Sequence, residues 1–103
     1  MLRIEYEGHD GRYAIVLHGS IAGEWVSLLE RYWRAIAEDV PSERIKVVLT
    51  DVSFIDAEGE RLLEQMWRHG AELEAHGCMN RHVIDNIRAQ RRRPVGRLQQ
   101  DGR

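Results

Sequence analysis

The residues best placed to do chemistry lie in one stretch, Val47–Gly59, which reads VVLTDVSFIDAEG and runs into the amphipathic segment Glu60–His69. A β-rich run ends at Phe54-Ile55-Asp56, and the period then turns helical. A carboxylate at such a junction is a natural helix N-cap, accepting hydrogen bonds from the free amides of the first turn. Glu58 falls in that turn, where the helix dipole favours negative charge by roughly 0.3–1 kcal/mol. Gly59 would leave the backbone of the first turn bare for the close approach of a partner. Asp51 and Asp56 resemble a carboxylate pair, but no substrate-binding signature accompanies them. Phosphate-loop and dinucleotide glycine patterns are absent from the sequence.

The remaining reactive side chains are scattered. His9, His18, His69, His76 and His82 include no helical pair at i, i+4, and no Cys-x-x-Cys accompanies them, so no metal and no cofactor is expected. Cys78 is the only cysteine. With no neighbouring base in a recognisable pattern it reads as a buried, inert thiol, and a lone cysteine fits a reducing compartment. Residues 88–103 carry six arginines against one acid, a net +5 in a chain of net −2, which leaves the other residues at −7. A basic tail without interleaved aromatic residues or a recognition helix implies no specific nucleic-acid partner.

The elements that must position Asp56–Gly59 follow from periodicity. Leu2, Ile4 and Tyr6 alternate with charged residues as in a half-buried strand, and Gly8–Gly11 supplies a turn. Tyr13–Leu17 is a continuous apolar run suited to a strand covered on both faces. Gly19–Gly23 reads as a loop. Trp25, Leu28, Leu29, Tyr32, Trp33 and Ile36 then form one helical stripe, stopped by Pro41. Ile45–Leu49 is a β-branched, central strand. Leu62, Leu63, Met66 and Trp67 mark the face of a second helix, with Gly70 as its stop. Ala71–His76 is a short strand candidate, and Val83, Ile84 and Ile87 suggest a last amphipathic turn or two. The three tryptophans are assigned to packing on helix faces, with Trp25 partly exposed.

The order β-β-α-β-α-β-α gives a single α/β domain. Its mixed sheet has about four strands, with about three helices packed mainly on one face. The domain occupies residues 1–90, and 91–103 form a basic tail that is expected to be disordered. No apolar stretch approaches the ~20 residues of a membrane span. The opening MLRIEYEGHD lacks the basic and apolar regions of a signal peptide, so a cytoplasmic location is expected.

At Phe54-Ile55-Asp56-Ala57-Glu58-Gly59, followed by Leu62-Leu63, the chain resembles the STAS family of anti-sigma factor antagonists and sulfate-transporter tails. The resemblance extends to the glycine-bearing segment Leu17–Ile21 and to Gly70–Gly77, and covers roughly residues 2–90. The family motif is hydrophobic–Asp-Ser-Ser-Gly, whose second serine is phosphorylated in the antagonists by an anti-sigma factor kinase. That serine maps onto Glu58 and the first onto Ala57, so the usual phosphoserine switch is missing here. The resemblance implies a non-enzymatic interaction domain without a cofactor. Its partner-binding face would comprise Asp56, Ala57, Glu58, Gly59, Arg61, Gln65, Gly19 and Ser20. The implied partner is an anti-sigma factor or kinase-like protein. An ABC-transporter ATPase served by a soluble STAS subunit and a small-ligand or nucleotide-sensing role are the alternatives, and a homodimer is left open.

Overall fold

In a computed structural model, which describes residues 1–89, the chain folds as a four-stranded sheet with three α-helices. Strands β1 (Leu2–His9) and β2 (Arg12–Ile21) form a hairpin. Helix α1 (Glu24–Ala37) and a single 3-10 turn (Ser42–Arg44) lead to β3 (Ile45–Ile55). Helix α2 (Ala57–Arg68), β4 (Glu72–Ala75) and α3 (Cys78–Ala89) complete the described chain. The strand order is β1-β2-β3-β4, with β1 antiparallel to β2 and the other neighbours parallel. The expected mixed sheet and three helices are therefore present. The expected tail, 91–103, lies outside the described residues.

Both hairpin-turn residues, Asp10 and Gly11, have positive φ (55° and 77°). Such a two-residue turn matches the right-handed twist of the flanking strands. It lets β1 run on to His9, beyond the turn start expected at Gly8.

The helices pack on one face of the sheet. Ile15, Leu17, Val47, Leu49 and Leu73 point to that face and are fully buried. They meet Val26, Leu29 and Trp33 of α1, Leu62, Leu63 and Met66 of α2, and Ile84 and Ile87 of α3. The alternate residues Ala14, Val16 and Val48 are only half-buried, between the exposed side chains of Glu5 and Lys46. The apolar run Tyr13–Leu17 is thus covered on one face and not on both. Among the described residues, long charged side chains and not a second helical layer shield the other side.

Three further expectations are corrected. The α1 stripe is centred on Val26, Leu29 and Trp33, which leaves Tyr32 exposed; Trp25, expected to be partly exposed, is half-buried, as is Trp67 of α2. Helix α3 is a full 12-residue element, not one or two turns. Cys78 is exposed because it opens α3 after the turn at Gly77, outside the sheet. Gly70 has φ +111° directly after α2, as its role as a helix stop predicts. Among the described residues no helix is long and apolar enough to cross a membrane.

Candidate functional site

The end of β3, the start of α2 and the turn before α1 meet at Asp56. Its backbone is extended (φ −86°, ψ 179°), as an N-cap requires, and its Oδ1 accepts a hydrogen bond from the Gly59 amide at 2.7 Å. The other oxygen, Oδ2, accepts from the amide of Gly23 at 2.9 Å, across 33 residues of sequence. Gly23 is itself the N-cap of α1, with φ 60° and ψ −136°. One carboxylate therefore bridges the N-termini of two helices. The Asp56 amide donates to the carbonyl of Ile21 at 3.1 Å, which secures the same junction from the backbone side. The Gly23 amide, followed by the Gly59 amide, holds the Asp56 carboxyl below the usual carboxylate range.

Gly59 is buried. A Cβ built there would lie 2.4 Å from the Ile21 carbonyl oxygen and 2.9 Å from Ile21 Cγ2. The close approach that needs a glycine is therefore made by this chain's own β2, and not by a partner as the sequence suggests.

Ala57, Glu58, Arg61 and Gln65 are all exposed. Positions 58, 61 and 65 recur at i, i+3 and i+7, so the last three share one ridge of α2. The Glu58 carboxylate accepts a hydrogen bond from Arg61 Nη1 in an i, i+3 ion pair with both side chains more than half exposed. That pairing raises the Arg61 pKa further.

Gly19 and Ser20 lie in β2, which continues to Ile21, so the expected Gly19–Gly23 loop shrinks to Ala22 and Gly23. Gly19 has φ +106°, and a Cβ there would collide with the Met1 carbonyl. The Ser20 amide donates to that same carbonyl at 2.8 Å. Gly19 and Ser20 are thus hairpin residues, and it is Gly23 that reaches Asp56.

The sequence reading missed Phe54. The pairing of β2 with β3 shifts register between Leu17 and His18 and again between Gly19 and Ser20, which leaves Thr50 and Ser53 unmatched. The first irregularity turns Val52 inward, to 8% exposure, and the second restores the original alternation, so that Phe54 faces outward at 56% exposure, opposite Ser20 and two residues before Asp56. The available signal is alternation itself, since counting by twos from the apolar Val47 and Leu49 puts position 54 on the opposite face.

Among the described residues no three His, Cys, Asp or Glu side chains gather as a metal site. His18 lies near Glu5, His76 beside Glu74, and His69 against Gln65 and Trp33, all in separate places. An open groove of about 710 Å³ runs between β4 and α3, lined by Lys46, Glu74, Arg81, His82, Asp85 and Arg88, and includes none of the residues around Asp56.

No protein-family model matches the chain, and no curated protein matches it significantly. Among solved structures, it is similar to the crystal structure of an anti-sigma factor antagonist from Mycobacterium paratuberculosis. The two are 21% identical, the match covers 87% of this chain and 80% of that one, and the TM-score is 0.72. The chain therefore has the mixed α/β fold of that antagonist, which is the STAS-like fold its sequence resembles.

Proposed function

We propose that this protein is a non-catalytic regulatory domain of the cytoplasm, of the anti-sigma factor antagonist type. It would dock a protein partner through the start of α2, with Ala57, Glu58, Arg61 and Gln65 forming the contact ridge and Phe54 beside it. The observation that carries this reading is the carboxylate bridge of Asp56 to both Gly23 and Gly59. That bridge holds the turn before α1 and the first turn of α2 as one rigid platform, and Glu58 stands exposed on it. A rigid platform lowers the ordering cost of docking. Glu58 occupies the position of the family's phosphoserine and supplies one fixed charge, where a phosphate would bring about −1.5 to −2.

The test is affinity capture from the native cell with the wild-type chain and with Glu58→Ser. Recovery of an ATP-binding anti-sigma partner, together with ATP-dependent phosphorylation of the serine variant, is the expected result. Recovery of a transporter ATPase would redirect the reading to that partner class. If Glu58→Ala and Phe54→Ser leave every captured interaction unaltered, the α2 surface is not the docking site.

A further inference from the structure

The outer edge of β1 is a long strand edge with no partner among the described residues. β1 spans eight residues and ends the sheet, so one row of its backbone groups faces outward. Which row is settled by the hairpin. The Ser20 amide donates to the Met1 carbonyl, and Leu2 stands opposite Gly19. In an antiparallel pair each residue sends its N–H and C=O to the same side, and the side alternates along the strand. Met1, Arg3, Glu5 and Glu7 therefore bond to β2. The N–H and C=O groups of Leu2, Ile4 and Tyr6 point away from the sheet, and no described residue bonds them.

We infer that this edge pairs with the β1 edge of a second copy of the chain, antiparallel about a two-fold axis through Ile4. The charges select this register. Centred on Ile4, the pairing sets Arg3 opposite Glu5 of the second copy, and Glu5 opposite its Arg3. Centred on Glu5 it would keep two Arg3–Glu7 oppositions but set Glu5 against Glu5 on the axis, and centred on Tyr6 it would set Glu5 against Glu7. Only the Ile4 register has two opposite-charge pairs and no like-charge pair. The backbone agrees with the charges. Ile4 against Ile4, and Leu2 against Tyr6, become hydrogen-bonded pairs formed from the free row, giving about six bonds at two per facing pair. Arg3 and Glu5 then fall at the non-hydrogen-bonded positions, where opposed side chains approach most closely.

Both charged side chains are accessible, at 61% and 55% exposure, and their present contact is a long one of 3.5 Å within the strand. On the helix face Tyr6, 56% exposed and in ring contact with Tyr32, would lie beside Leu2 of the second copy. The result is an eight-stranded sheet continuous across the two-fold axis. Pairing also removes an open edge that would otherwise invite uncontrolled association.

The experiment is sedimentation equilibrium on the full chain from about 10 to about 500 µM, a range suited to a small interface. It is run for the wild type, Arg3→Glu, Glu5→Arg, the double variant, and an equimolar mixture of the two single variants. Circular dichroism and melting temperature serve as folding controls. The wild type should form dimers within the range, and each single variant should associate about tenfold more weakly or less. The double variant and the mixture should regain dimerisation, because both restore every Arg–Glu opposition. A wild type that is monomeric throughout, single variants that dimerise like the wild type, or a mixture that fails to recover would each overturn the inference.

Discussion

Replacing Gly59 with alanine sets a gain in helix propensity against a larger steric cost. In an exposed helical position the change would stabilise, because alanine is favoured over glycine by about 0.8–1.0 kcal/mol. Here the new Cβ would sit 2.4 Å from the Ile21 carbonyl oxygen, about 0.9 Å inside an ordinary contact of roughly 3.3 Å. It would also press on Ile21 Cγ2 at 2.9 Å and Ile55 Cγ2 at 3.2 Å. The carbonyl cannot withdraw freely, since it accepts the Asp56 amide at 3.1 Å. Adding a methyl to a packed site costs about 1–3 kcal/mol, and a collision with backbone belongs in the upper part of that range. The net effect is a loss of about 1–2 kcal/mol, or about 5–15 °C in melting temperature for a domain of this size. Thermal and urea unfolding followed by circular dichroism measure it, with an unchanged urea m-value expected. A melting temperature equal to or above that of the wild type would show that α2 does not press against the end of β2. The rigid platform around Asp56 would then have no steric basis.

Asp56→Asn keeps the size of the cap but removes its charge. Because the folded-state carboxyl lies below its usual range, its contribution is present above the unfolded pKa and is lost as pH falls through the folded one. The variant should therefore melt below the wild type at neutral pH, and the gap should close in acid, as melting curves across a pH series would show. Leu63→Ala, at a fully buried site beneath the sheet, should cost about 2–5 kcal/mol in urea unfolding. Phe54→Ser, at an exposed site, should stay within about 0.5 kcal/mol of the wild type in the same assay while weakening partner capture.

Local periodicity carried the helices and strands well. The 3.6-residue stripe through Leu29 and Trp33, the alternation from Leu2 to Tyr6 and the stop at Gly70 depend on neighbours a few residues away, and these are legible in a sequence. What it did not carry depends on distant contacts. Tyr13–Leu17 looks like a strand buried twice, because nothing in the run says that all three helices choose one side. By alternation from Val47 and Leu49, Val52 falls on the outer face with Phe54, until a register irregularity between β2 and β3 turns it into the core. The bridge from Asp56 to Gly23 joins residues 33 apart, so capping rules alone find only its Gly59 half. Cys78 was misread because the end of a four-residue strand and the start of the next helix are separated by a single turn.

The same local detail bears on what Glu58 can do if, as proposed, it stands where relatives carry a phosphoserine. Its carboxylate is already engaged, since one oxygen of Glu58 accepts a hydrogen bond from Arg61. A single charge paired with a guanidinium on the same ridge presents little net charge to a partner, and it presents that charge with a free oxygen on one side only. A phosphoserine at the same place would keep about 0.5–1 negative charge in excess after the same pairing, with acceptor oxygens to spare. On the proposed reading, Glu58 and Arg61 thus offer a polar, nearly neutral pair where a phosphorylated relative offers an anion. The partner's complementary surface should then be selected less by net charge than by the shape of the Ala57–Gln65 ridge and the apolar face of Phe54. A partner of this kind would remain docked whatever the kinase activity around it, because the pair has no hydroxyl to modify and its charge does not switch.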